Sequence, residues 1–122
     1  MSREFHSLIP LIHVRNVPAS VAFYEKLGFR LAYSHKEEKE TEISWALMQS
    51  GGAQIMLARA TEAERGIVTA LYANDVDAKH KEIVANGVNP GPLEHPFFRP
   101  RGYFRLEDPD GYVLNITYPE RG

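Results

Sequence analysis

The chain has 122 residues, 43% hydrophobic and 25% charged, with a formal net charge of −2 and a pI near 6.2. These values suit one soluble domain with a modest core and give no electrostatic pull toward nucleic acid or an anionic membrane. With no cysteine, disulfides, thiolate metal sites and a cysteine nucleophile are excluded; no apolar run suits a signal peptide or a membrane span, so a cytoplasmic location is expected.

In chain order, Leu8 to Val14 reads as a short apolar strand. Asn16-Val17-Pro18 then opens a helix, with Asn16 or a neighbour as cap and Pro18 in the first turn. Its apolar stripe is Val17, Val21, Tyr24 and Leu27, and Gly28 ends it. Phe29 to Ser34 is a second strand, and His35 to Glu42 a charged, solvated connection. Ile43 to Gln49 and Ala53 to Arg59 form a hairpin around Ser50-Gly51-Gly52.

The second half follows the same plan. Ile67 to Ala73 is a strand, and Asp75 to Asn86 is a helix with the stripe Val76, His80, Ile83 and Val84, stopped by Gly87. His80 therefore reads as a half-buried packing residue. A Pro- and Gly-rich stretch with a short strand follows. Tyr103 to Glu107, the Asp108-Pro109-Asp110-Gly111 turn and Tyr112 to Tyr118 then make a hairpin, with Pro fixing φ and Gly accepting φ > 0. The last strand alternates Val113, Asn115 and Thr117 with Leu114, Ile116 and Tyr118, one mixed face against one apolar face.

The halves align without gaps at an offset of 59 positions (Gly28 to Gly87, Gly52 to Gly111), with Val17, Ala19 and Leu47 repeated as Val76, Ala78 and Leu106. Both helix stops, a hairpin glycine and the apolar phases agree at that offset. The expected fold is α+β: two tandem β-α-β-β-β modules, residues 8–59 and 67–118, within one domain spanning 1–122. Their mixed sheets would be cupped, with helices on the outer faces.

The run Asn16-Val17-Pro18-Ala19-Ser20-Val21-Ala22-Phe23-Tyr24-Glu25-Lys26-Leu27-Gly28-Phe29, paired with Glu107-Asp108-Pro109-Asp110-Gly111, resembles the vicinal oxygen chelate superfamily. Glyoxalase I, extradiol dioxygenases, fosfomycin-inactivating enzymes and bleomycin resistance proteins belong to that group, and the similarity runs from Leu8 to Tyr118. The resemblance implies a cup at whose centre the family's enzymes hold a metal, with one ligand from the first and one from the last strand of each module. It also implies a homodimer with paired clefts. The matching positions here are Ile9, Met56, Val68 and Asn115. Aliphatic side chains cannot coordinate, and a thioether and an amide oxygen are poor ligands for hard or borderline cations. Asn115 thus stands where an enzyme of the family would keep a glutamate, and no metal or cofactor is expected.

If those four positions face inward, alternation nominates their neighbours. Leu11, His13, Ala70 and Tyr72 come from the first strands, and Gln54, Ala58, Val113 and Thr117 from the last. Ser44, Ala46, Met48, Tyr103 and Arg105 come from the third strands, with Ile43, Trp45, Leu47, Phe104 and Leu106 turned to the helices. Phe97 and Phe98 are placed at the mouth of the cup. The expected ligand-binding set is His13, Gln54, Met56, Tyr72, Phe97, Phe98, Tyr103, Arg105 and Asn115, with no catalytic residue assigned. An inward Arg105 needs either an internal carboxylate or an anionic ligand.

The favoured reading is a metal-free binder of the bleomycin resistance type, holding an antibiotic-like or aromatic small molecule in a dimer cleft, with no nucleic-acid or membrane partner. The alternative is a metal-dependent lyase, isomerase or dioxygenase with a relocated site drawn from His13, Glu94, His95 and Glu107.

Overall fold

The computed structural model describes residues 3–63 and 67–119 of the chain. Asn16 caps the first helix as expected: its backbone is extended and its Oδ1 accepts from the Ala19 N–H at 2.9 Å. The helix α1 spans Val17–Lys26, and α2 spans Val76–Ala85, capped in the same way by Asp75 on Ala78. Gly28 and Gly87, at φ 106° and 88°, lie just beyond the two helices in the left-handed region that favours glycine.

The strands are β1 (Leu11–Val14), β2 (Arg30–His35), β3 (Trp45–Ser50), β4 (Ala53–Arg59), β5 (Val68–Tyr72), β6 (Tyr103–Glu107) and β7 (Val113–Thr117). They form a four-stranded sheet in the order β1-β4-β3-β2 and a three-stranded sheet in the order β5-β7-β6. In each, the β1-like strand pairs in parallel with the last strand and the hairpin strands run antiparallel. The fold is α+β with two mixed sheets and two helices, as expected.

The core is the helix-facing side of both sheets. Ile12, Val14, Ala46, Met48, Ile55 and Leu57 supply it from the first sheet, and Phe104, Leu106, Leu114 and Ile116 from the second; Val17, Val21, Tyr24, Val76 and Ile83 come from the helices. All are buried, so hydrophobic burial is concentrated on one side of each sheet. The helices also meet: Lys79 Nζ and Asn86 Nδ2 donate to the Leu27 and Lys26 carbonyls at 3.2 and 2.9 Å. These donors satisfy carbonyls that the end of α1 leaves without intrahelical partners.

Four expectations are corrected. The first strand begins at Leu11 rather than Leu8; Leu8 is 88% exposed, and Pro10 has no N–H to give a ladder. The short strand expected after Gly87 is only a bridge between Glu94 and Tyr103, since prolines 90, 92 and 96 remove donors from that segment. Val84 is 52% exposed and leaves the helical stripe. His80 does pack as expected, edge-on to the Phe104 ring at 4.8 Å, with Nε2 3.1 Å from the Gly91 carbonyl oxygen.

The fourth correction is the facing of β3. Ala46 and Met48 are fully buried in the core, whereas Trp45 and Leu47 share the opposite face with Ala58 and Met56. The cause is turn length. Gly51 and Gly52 make a two-residue connection between paired Ser50 and Ala53, but Asp108 to Tyr112 make a five-residue connection between paired Glu107 and Val113. An odd change in loop length shifts register by one residue and turns the strand over. Leu47 and Leu106, identical at the constant offset, therefore face opposite ways.

Candidate functional site

Directly paired residues project to the same side of a sheet, so register defines the face away from the helices. On the first sheet, one row is Leu11, Met56, Leu47 and Tyr33, and the next is His13, Ala58, Trp45 and His35. Gln54, Gln49 and Arg30 form a third, with Arg30 donating to Gln49 Oε1 at 3.2 Å. On the second sheet the rows are Val68, Val113 and Glu107; Ala70, Asn115 and Arg105; and Tyr72, Thr117 and Tyr103.

Seven of the nine expected binding residues therefore lie on these two faces: His13, Gln54 and Met56 on the first, and Tyr72, Tyr103, Arg105 and Asn115 on the second. His13, Gln54, Met56, Tyr103 and Asn115 are half-buried. Phe97 and Phe98 sit apart, in the turn after the Glu94 bridge. They pack edge-to-face on each other at 5.4 Å and are 93% and 63% exposed. Trp45 joins the first face from β3, whereas sequence spacing turns it to the helices.

The four positions that the resemblance matches to metal ligands carry weak donors or none. Met56 and Asn115 are on the faces away from the helices, paired with Leu11 and Ala70, while Val68 opens β5 and is 56% exposed. Ile9 lies two residues before Leu11, outside the strand. This donor set does not fit a hard or borderline cation. Among the described residues, no three His, Asp or Glu side chains come together in a metal-holding group. Of the alternative ligands, His95 Nε2 is 2.8 Å from Asp77 Oδ1, Glu94 pairs through its backbone with Tyr103, and Glu107 ends β6.

The second face carries the clearest polar arrangement. Tyr103 OH donates to Asn115 Oδ1 at 3.4 Å, and Thr117 Oγ1 donates to the Gly102 carbonyl at 2.9 Å. Arg105 stands beside Asn115 in the pairing register and has no ion pair among the described residues. An open groove of about 350 Å³ runs beside it, bordered by Asn89, Gly91, Glu107 and Val113. A smaller apolar cavity of about 80 Å³ lies at the seam of the two halves, against Leu27, Phe29, Leu71, Ile83 and Ile116.

Sequence reasoning missed the role of Asp108. This turn residue is 5% exposed; its Oδ1 accepts from the backbone N–H groups of Asp110 and Tyr112, and its Oδ2 from the Tyr24 hydroxyl. Burial pushes its carboxyl above the usual range, against the opposing pull of those hydrogen bonds. Burial, then the Asp108 charge, raises the Tyr24 hydroxyl. Tyr112 OH reaches the His13 carbonyl at 2.7 Å, so the same turn also fixes the end of β1.

The chain resembles solved structures along nearly its whole length. A bleomycin-binding protein complexed with bleomycin matches with a TM-score of 0.75 at 18% identity, covering 95% of this chain and 100% of that one. A bleomycin resistance determinant encoded on the transposon Tn5 gives 0.76 at 18%, covering 96% and 100%. The bleomycin-binding protein from bleomycin-producing Streptomyces verticillus, complexed with copper(II)-bleomycin, gives 0.75 at 20%, covering 98% and 100%. Identities this low establish the fold alone. No curated protein matches. The family model for the Glyoxalase/Bleomycin resistance protein/Dioxygenase superfamily matches residues 7–116, and the chain belongs to that superfamily.

Proposed function

We propose that this protein is a metal-free small-molecule binder that sequesters an antibiotic-like or aromatic ligand in a cleft formed by two copies of the chain. The observation that carries this reading is the occupancy of the faces away from the helices. Met56 and Asn115, the strand positions that the family resemblance matches to metal ligands, lie on these faces, and their directly paired neighbours Leu11, Leu47, Ala70 and Arg105 cannot ligate a metal. Such a lining suits ligand pockets, and sequestration needs affinity without chemistry.

The two sheets share no strand pairing, and Leu11, Tyr33, Val68 and Tyr72 are 42%, 70%, 56% and 61% exposed on their open faces. A homodimer that sets the first sheet of one copy against the second sheet of the other would cover them and enclose the ligand.

Trp45, the single tryptophan, lies on the first face and reports on its occupancy. Titrating bleomycin and a panel of aromatic acids and amides, while following Trp45 emission and the melting temperature, tests the reading. Saturable quenching with a matching rise in melting temperature, unchanged by chelator, is the expected result. Ligand binding that disappears with chelator and returns with added metal would contradict it.

A further inference from the structure

The second sheet face is donor-rich at one point, where the exposed Arg105 forms no ion pair among the described residues. Arg105 offers a planar fork of N–H donors and no acceptor. Its row neighbour Asn115 accepts from the Tyr103 hydroxyl through Oδ1 at 3.4 Å and carries two further N–H donors on Nδ2. The strand bearing Arg105 is held in place from its outer side. The Gly91 N–H donates to the Arg105 carbonyl at 2.7 Å, and Glu94 and Tyr103 exchange two backbone bonds at 2.9 Å. Tyr72 and Tyr103 occupy the adjoining row, and an open groove is bordered by Arg105. Glu107 is on the same face, two residues along β6, yet forms no ion pair with Arg105.

Resting on the binder reading above, we propose that the ligand is an anionic aromatic molecule. Its carboxylate, or a like oxyanion, is held by Arg105 and the Asn115 amide, and its ring lies along Tyr72 and Tyr103. A guanidinium with a neighbouring amide donor fits a two-oxygen anion by geometry as well as charge. An aromatic ring next to that anion matches the tyrosine row. A cationic ligand would meet one carboxylate, that of Glu107, among the described strand residues of this face.

The test compares 2-naphthoate with 2-naphthamide, which share a ring and differ in charge, by calorimetric titration of the full chain. The wild type, Arg105→Gln and Glu107→Gln are titrated, with a melting curve for each to verify folding. The acid is expected to bind the wild type more tightly than the amide, to lose about tenfold or more in Arg105→Gln, and to bind more tightly in Glu107→Gln. The amide, which has no charge but can still accept from Arg105 through its carbonyl, is expected to lose much less than the acid in Arg105→Gln. Equal affinities for acid and amide in the wild type, or equal losses for both in Arg105→Gln, would overturn the anion assignment. So would binding of bleomycin without binding of the acid, and in each of these cases the binder reading itself survives. Failure of both naphthyl probes and of bleomycin to bind would overturn the two together.

Discussion

The Tyr24 hydroxyl donates to Asp108 Oδ2 at 2.9 Å, joining α1 to a hairpin turn 84 residues later. Both residues are at most 5% exposed, so neither can exchange its partner for water without opening the structure. The bond ties the helix of the first half to the turn whose Tyr112 hydroxyl holds the end of β1. Tyr24→Phe should cost about 1.5–3 kcal/mol, the usual value for a hydrogen bond to a charged group. Asp108→Ala should cost more, since the Asp110 and Tyr112 N–H groups also lose their acceptor. Urea unfolding of both single variants and the double variant checks this, and a double variant that equals the sum of the singles would show that the two residues are not coupled.

The pH dependence of the same turn has a defined sign. Asp108 is raised above its ordinary value of 3.8, mainly by burial. A carboxyl raised in the folded state contributes stability that is complete below the unfolded value and lost as pH rises through the folded one. Glu40, held below the usual range by the hydrogen bond from Arg59, acts in the opposite sense. The informative quantity is therefore wild type minus Asp108→Asn, in which Glu40 cancels. That difference should move in favour of the wild type as pH falls from neutrality toward about 4. Chemical denaturation across that range checks it, and a shift toward the variant would contradict the assignment.

Gly28 offers a third test, because it lies where the two helices meet. Its φ is 106°, and an added Cβ would stand 2.9 Å from Lys79 Nζ, the group that donates to the Leu27 carbonyl. Gly28→Ala should cost about 1–2 kcal/mol from the left-handed backbone alone. Displacement of the lysine adds to that. Gly87→Ala, with a φ of 88° and open space around the Cβ position, should show the backbone part only. Paired thermal melts separate the two contributions.

Most of the fold was legible in the sequence because its signals are local. Asn16 and Asp75 cap helices at equivalent positions, Gly28 and Gly87 follow their ends, and apolar alternation marks the strand faces. The facing of β3 was not legible, because the repeat offset carries no information about hairpin loop length. Trp45 and Leu47 consequently look like core residues until the Ser50 to Ala53 pairing is known. Arg105 and Asn115 share a row on one sheet face, as simple alternation along β6 and β7 implies. The Tyr24–Asp108 bond joins residues far apart in sequence, and no periodicity encodes it.

Association should be visible at the sheet faces. Val68 and Tyr72 are exposed within one chain, so Val68→Lys combined with Tyr72→Lys should cost an isolated protomer little. In a dimer that covers them, the same pair buries two unpaired cations. Sedimentation velocity should give a dimer for the wild type and a cooperatively folded monomer for the double variant. A wild type that sediments as a monomer at all concentrations would contradict the two-copy cleft.

The proposed lack of a metal centres on Met56 and Asn115, on β4 and β7, the positions that the family resemblance matches to metal ligands. Equilibrium dialysis against zinc, nickel, manganese and iron(II), followed by elemental analysis of the washed protein, tests it most directly. Far less than one ion per chain is the predicted result, with small-molecule affinity the same before and after chelation. One tightly retained ion per chain, with ligand binding that depends on it, would contradict the account.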